Sequence, residues 1–395
     1  MPKFRFVSLL ALVALAAVAV AGGAAAAKGG HSAPTVVGQV YVNDNTAPQN
    51  TVAGYNRLSD GTLAPIAGSP FAVGGAGTGS PDASQGSLQL SSDGRYLLAV
   101  DAGSNQISIL RIKPDGSLQV AEGSPAASNG VDPVSIAVHG NLVYVANAGP
   151  GSNPGDTNYT GFTLNPGGHL DAIPGSTYAL PSNSKPGDVL FNATGTKLAG
   201  TRIVTSMIDS FTVGTNGLLA AAPGSPFDAQ AFTPAQGFGQ LGSEFSPTSP
   251  DQLFVSDAHT IAGTGAPGIV SSFADGADGT LTTAGAPVAN DGVASCWVEI
   301  SHDGAFLFVV NTGSATVSSY SIGSDGTLTF LQSTGAGQIG AGAEDARLSP
   351  DGSTLWVVES GTNAVTGFSV SGGTLTPLTA APGPAGATPS GIVVT

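Results

Sequence analysis

The chain has one cysteine, two methionines, two tryptophans and only 11 lysines and arginines in 395 residues. The single thiol, Cys296, excludes an internal disulfide, and it lies too far downstream to be a lipid-anchored cysteine following a leader. Charged residues are 9% of the chain and acids outnumber bases 26 to 11, a net charge of −15. Such a surface opposes association with nucleic acid or with an anionic bilayer. The five histidines (His31, His139, His169, His259, His302) are scattered and none stands at a metal-ligand spacing, so neither a metal site nor a cofactor is expected. Helical periodicity is missing beyond a turn or two. Glycine and proline are plentiful instead, with 58 and 27 residues.

The N-terminus differs from the rest. Lys3 and Arg5 precede an apolar run over residues 7–21, and Ala25-Ala26-Ala27 gives a small-residue cleavage pattern. We read 1–27 as a secretory signal peptide, 28–35 as a flexible segment and 36–395 as one folded domain. Loss of Lys3 and Arg5 takes the net charge from −15 to −17. The mature protein is expected to be secreted or in the cell envelope, monomeric, and not inserted in a membrane.

Seven times a glycine followed two positions later by leucine opens a short apolar strand: at Gly61, Gly116, Gly168, Gly217, Gly279, Gly326 and Gly373. The intervals are 55, 52, 49, 62, 47 and 47 residues, the length of one four-stranded sheet. Repeats of that length with strand signals specify a radial array of blades. In the second unit the strands read as A over 87–91, B over 96–101, C over 106–112 and D over 117–122. Asp93-Gly94 and Asp115-Gly116 supply the positive-φ residues that tight hairpins require. B strands such as 306–310 and 355–358 are continuously apolar, as a strand buried on both faces must be. The first unit starts at a B strand (38–42) and the last ends with a surplus strand (390–394). We therefore expect an all-β, seven-bladed β-propeller with four antiparallel strands per blade, its ring closed by the C-terminal strand joining the first blade. Closure of this kind leaves no free edge.

Tyr144-Val145-Ala146-Asn147 in a B strand and Leu348-Ser349-Pro350-Asp351-Gly352 at an A–B turn resemble the seven-bladed lactonase-type propellers. That group comprises 6-phosphogluconolactonases and carboxymuconate cyclases and is related to propellers with YVTN repeats. The resemblance spans essentially all of 36–395. It implies a His and an Arg at the outermost ring of two A strands and a Glu after an Asn at the end of a B strand. The corresponding positions here are Gly187, Cys296 and Thr312, which carry none of that chemistry.

The A–B and C–D turns share one face of the disc and are tight Asp-Gly hairpins. The other face carries long loops at 71–86, 149–157, 227–241 and 258–267, and length beyond what closure needs points to function. Aligned A strands place Cys296 and Glu344 in the outermost ring, Asp188, Trp297 and Asp345 in the next, and Gln89, Glu244, Glu299 and Arg347 deeper. Alternation allows only one of two adjacent rings to face the channel. Glu344 and Asp345 are the candidate catalytic acids or bases, and Asp188, Cys296, Trp297 and Arg347 the candidate ligand contacts. A carboxylate at a strand start also serves simply to satisfy turn amides, and Glu299 opposite Arg347 reads equally as an ion pair between blades. Three functions follow. The first is a secreted propeller that binds a small molecule or an extracellular protein without catalysis. The second is a lactone hydrolase or related cyclase with a displaced acidic site. The third is a structural envelope protein.

Overall fold

The computed structural model describes residues 33–149, 155–232, 239–258, 267–335 and 339–395. The signal-peptide reading of 1–27, and parts of three of the long loops, lie outside these residues. The unit Thr35–Thr395 contains seven antiparallel sheets arranged in a ring. The expected seven-bladed propeller is the observed fold.

In the second blade B is Tyr96–Asp101 and C is Gln106–Ile112, the bounds read from the sequence. The Asp-Gly turns account for that agreement. Asp115 accepts hydrogen bonds from the Ser117 amide (3.0 Å) and hydroxyl (2.7 Å), and Gly116 takes φ +80°. The first six glycines of the beat all have φ between +77° and +88°. In the seventh blade the left-handed residue is Gly372, one position before Gly373.

The ring closes as expected. The C-terminal strand Gly391–Val394 pairs antiparallel with Val36–Asn43, Ile392 opposite Val42 and Val393 opposite Tyr41. It is the innermost strand of the first blade.

Among the described residues seven apolar clusters hold the disc together, six of them joining two adjacent blades and one running from the fourth blade to the seventh. Val40, Val42 and Ile392 of the first blade pack with Trp356 and Val358 of the seventh, for example, and Leu98 and Ile109 of the second with Val143 and Phe162 of the third. B strands such as Leu142–Asn147 therefore bury both faces. Polar stitches follow the same seams. The Tyr41 hydroxyl donates to the Gly116 carbonyl (2.8 Å) and the Tyr144 hydroxyl to that of Gly217 (2.7 Å). The glycines of the beat thus serve as inter-blade acceptors as well as turn residues.

Two departures from the sequence reading shape the molecule. In six blades the outermost strand is broken into two short pieces, as in Leu118–Val120 and Ala126–Ala127. At the break a serine hydroxyl replaces the ladder: Ser69, Ser124 and Ser225 accept from the amides of Gly54, Ile109 and Ser210 at 2.8–3.0 Å. The inner strands also slip register at their first residues, between Pro133 and Ser135, Pro186 and Asp188, and Ser295 and Trp297. Such bulges re-aim the side chains that follow.

Candidate binding site in the central channel

The bulges decide which ring faces the channel. Outermost Cys296 and Leu241 turn into an apolar cluster with Ile203 and Ile339, and Val134 into another with Ala148 and Leu180. The second and deeper rings face inward, and Asp188, Gln89, Glu244, Glu299 and Arg347 line one cavity of about 260 Å³.

On the long-loop side the channel is closed by its own chain. The connection from the first blade to the second crosses the axis and is tied to three blades opposite. The Gln85 amide donates to the Gly187 carbonyl (2.9 Å). The Gln85 side chain donates to the Ser243 carbonyl (2.9 Å) and accepts from the Val298 amide (3.0 Å), and the Trp297 indole donates to the Ser84 carbonyl (2.5 Å). Beneath this plug Asp188, Ser243 and Asp345 are buried, whereas Glu244, Gln89 and Arg347 further along are partly exposed. The cavity therefore opens toward the hairpin face, not toward the long-loop face that loop length had indicated.

Most polar groups in its wall are committed. Asp188 bridges three blades, accepting from the Ser135 hydroxyl (3.0 Å) and from the Ser243 amide (2.9 Å) and hydroxyl (2.8 Å). Asp345 accepts from the amides of Ala346 (2.9 Å) and Gly86 (3.3 Å). The Arg347 guanidinium meets Glu299 at 3.2 Å and Asp345 at 3.5 Å, and Glu299 also accepts from the Leu348 amide (2.9 Å). The two readings left open in the sequence are both realised, since the aspartates satisfy strand amides and Glu299 pairs with Arg347. Glu244 and Gln89 differ. Among the described residues neither side chain has a hydrogen-bond partner.

One guanidinium therefore stands among four carboxyls in a partly buried space. Burial, then the proximity of Glu299, pushes Glu244 well above the carboxylate range, and Arg347 offsets this in part. Burial raises Asp188 to about 7 against the pull of its serine partners. Glu299 and Asp345 are raised by burial and drawn back by Arg347. Burial disfavours the Arg347 charge, but Asp345, Glu299, Glu244 and Asp188 more than reverse this.

The remaining candidates lie above the plug. Glu344 is 4% exposed, with one carboxyl oxygen near Ser360 and the other without a hydrogen-bond partner among the described residues; burial holds it well above its usual range. Burial lifts the Cys296 thiol to about 12, far from a nucleophilic thiolate. At Gly187 a Cβ would lie 2.8 Å from Ile203, and the Thr312 hydroxyl donates to the Ala343 carbonyl (2.8 Å). Among the described residues no group of three or more His, Cys, Asp or Glu can hold a metal ion, and no helix is long and apolar enough to cross a membrane. Sequence reasoning missed Ser84 and Gln85. The length of loop 71–86 was visible, but its direction across the channel was not.

The fold and this channel define a closed, seven-bladed propeller. Residues 246–393 match the model of the family "Lactonase, 7-bladed beta-propeller". A Bacteroides fragilis protein provisionally assigned as a 6-phosphogluconolactonase is 21% identical, with 91% of this chain and 98% of that one covered at a TM-score of 0.66. The periplasmic gluconolactonase of Pseudomonas aeruginosa is 17% identical, with 90% and 98% covered at a TM-score of 0.65. A Lactobacillus plantarum protein is 18% identical, with 91% and 99% covered at 0.67. No curated protein matches the sequence. The resemblance to the lactonase-type propellers is thereby borne out: residues 246–393, which include Leu348–Gly352, match that family, and the whole fold is a seven-bladed propeller.

Proposed function

We propose that this lactonase-like propeller works outside the cytoplasm by binding a small molecule in its central channel, without hydrolysing a lactone. The observation that carries the reading is the fate of three positions. Where the resemblance implies His, Arg and Glu, the chain has Gly187 walled by Ile203, Cys296 buried as a neutral thiol and Thr312 bonded to backbone. The channel meanwhile offers a polar cavity with two uncommitted side chains, Glu244 and Gln89. Its one cation among the described residues, Arg347, is already engaged by Glu299 and Asp345, which leaves no free positive group for a phosphorylated or carboxylate ligand. The basic, apolar and small-residue order of the first 27 residues supports export, as does the fold shared with a periplasmic protein.

The lactone-hydrolase reading rests on Glu344, whose unpartnered buried oxygen is the group best suited to activate water there. A panel of aldonolactones, including glucono-δ-lactone, separates the two. We expect no turnover above the uncatalysed rate. Turnover abolished in the double variant Glu344→Gln, Asp345→Asn would replace the binding reading with the catalytic one.

A further inference from the structure

We infer that the channel cavity takes a small hydroxylated amine in its ammonium form, with the Glu244 carboxylate meeting the nitrogen and the Gln89 amide a hydroxyl. The inference rests on the reading of the channel as a ligand site and adds the ligand's chemistry. Three observations carry it. First, the wall is a built site with one vacancy in its pairing. Arg347 is engaged by Glu299 and Asp345, Asp188 by two serines and Gln85 by backbone, while among the described residues Glu244 and Gln89 have no hydrogen-bond partner for their side chains. Second, the carboxyls of the wall outnumber its cations, with Asp188, Glu244, Glu299 and Asp345 around one guanidinium that Glu299 and Asp345 already engage. An added cation can be matched by a carboxylate, whereas an anion meets no free positive group among the described residues and a neutral polyol leaves Glu244 without a counter-charge. Third, about 260 Å³ is below the roughly 300–1,000 Å³ of pockets for drug-sized ligands, which limits the occupant to about the size of a monosaccharide. An amino sugar or amino alcohol satisfies all three.

Binding is coupled to a proton. The charged groups around Glu244 are Glu299, Asp188 and Asp345 on one side of the balance and Arg347 on the other, with His302 acting on Glu299 from the turn beyond. Burial holds Glu244 above the carboxylate range and an ammonium beside it draws it back down, so binding releases protons to solvent.

The test is calorimetric titration of the full chain with glucosamine at pH 6.5, in phosphate and in MES, buffers that are not themselves hydroxylated amines. We expect binding whose heat differs between the buffers because protons are released, and at least tenfold weaker binding of glucose and gluconate. Glu244→Gln should fold normally, because the side chain has no hydrogen bond to lose among the described residues, and should lose at least tenfold in affinity together with the buffer dependence. Glucose binding as tightly as glucosamine, with buffer-independent heat, would overturn the amine inference and leave the channel reading standing if Gln89→Trp abolishes it. Glucosamine binding that survives both Glu244→Gln and Gln89→Trp would overturn the channel reading itself.

Discussion

Raising the pH from 4.5 to 8 should destabilise this protein, because its buried aspartates are held protonated by the fold. Asp44, Asp188 and Asp257 are each raised by burial to about 7, and Asp101 to about 6. Their unfolded values lie near 3.9. Between those limits the folded state retains protons that the unfolded chain releases. Stability that is fully present below about pH 4 is therefore lost as the pH climbs to about 7. For Asp188, 2% exposed, a rise of about 3 units at about 1.36 kcal/mol each sets an upper limit of about 4 kcal/mol. The turn aspartates act oppositely. Asp93, Asp303 and Asp351 are held low chiefly by the hydroxyls of Ser91, Ser301 and Ser349, so what they contribute is lost as the pH drops below about 4. The optimum falls near pH 4–5. Urea-unfolding midpoints at pH 4.5, 6 and 7.5 test this, and we expect a steady fall across the three. Asp188→Asn should flatten the slope over that window. Midpoints level or rising from pH 5 to 8 would refute the reasoning.

Deleting residues 390–395 removes the closing strand, and with it Ile392, Val393 and Val394, all under 9% exposed. At about 1.5–3 kcal/mol per buried side chain the loss is roughly 5 kcal/mol or more, and an unchanged melting temperature would contradict the closure. Tyr144→Phe removes the hydroxyl bonded to Gly217 and should cost about 1 kcal/mol by urea denaturation. Cys296 should not react with a water-soluble disulfide reagent such as DTNB in the native protein and should titrate as one thiol in denaturant, because it is buried and neutral. Phe at Gly168 should destabilise through its Cβ, which would lie 2.7 Å from Tyr96, and through a φ of +88°, whereas Gly94→Ala meets no neighbour and should show only the cost of its φ in a thermal melt.

The parts of the fold legible in the sequence are those set by local chemistry. Asp115-Gly116 dictates a hairpin whatever surrounds it, so the strand at 106–112 could be bounded to the residue. The apolar run at 142–146 could belong only to a strand covered on both faces. The ring position shared by Gln89, Glu244, Glu299 and Arg347 was also legible, because counting from the turns locates it. Its meaning was not. Which ring faces inward depends on the bulge before Asp188 and Trp297, a tertiary feature with no fixed sequence signature. The plug was hidden for a similar reason: Gln85 reaches Ser243 across 158 positions of sequence, and loop length says nothing about direction. Loop length alone favoured the face that Gln85 and Trp297 close.

A crystal structure of the full chain soaked with glucosamine should place the amine nitrogen within hydrogen-bond distance of the Glu244 carboxylate, in the cavity between Gln89 and Glu299. A ligand seated instead beside Glu344 and Cys296, above the plug, would contradict it.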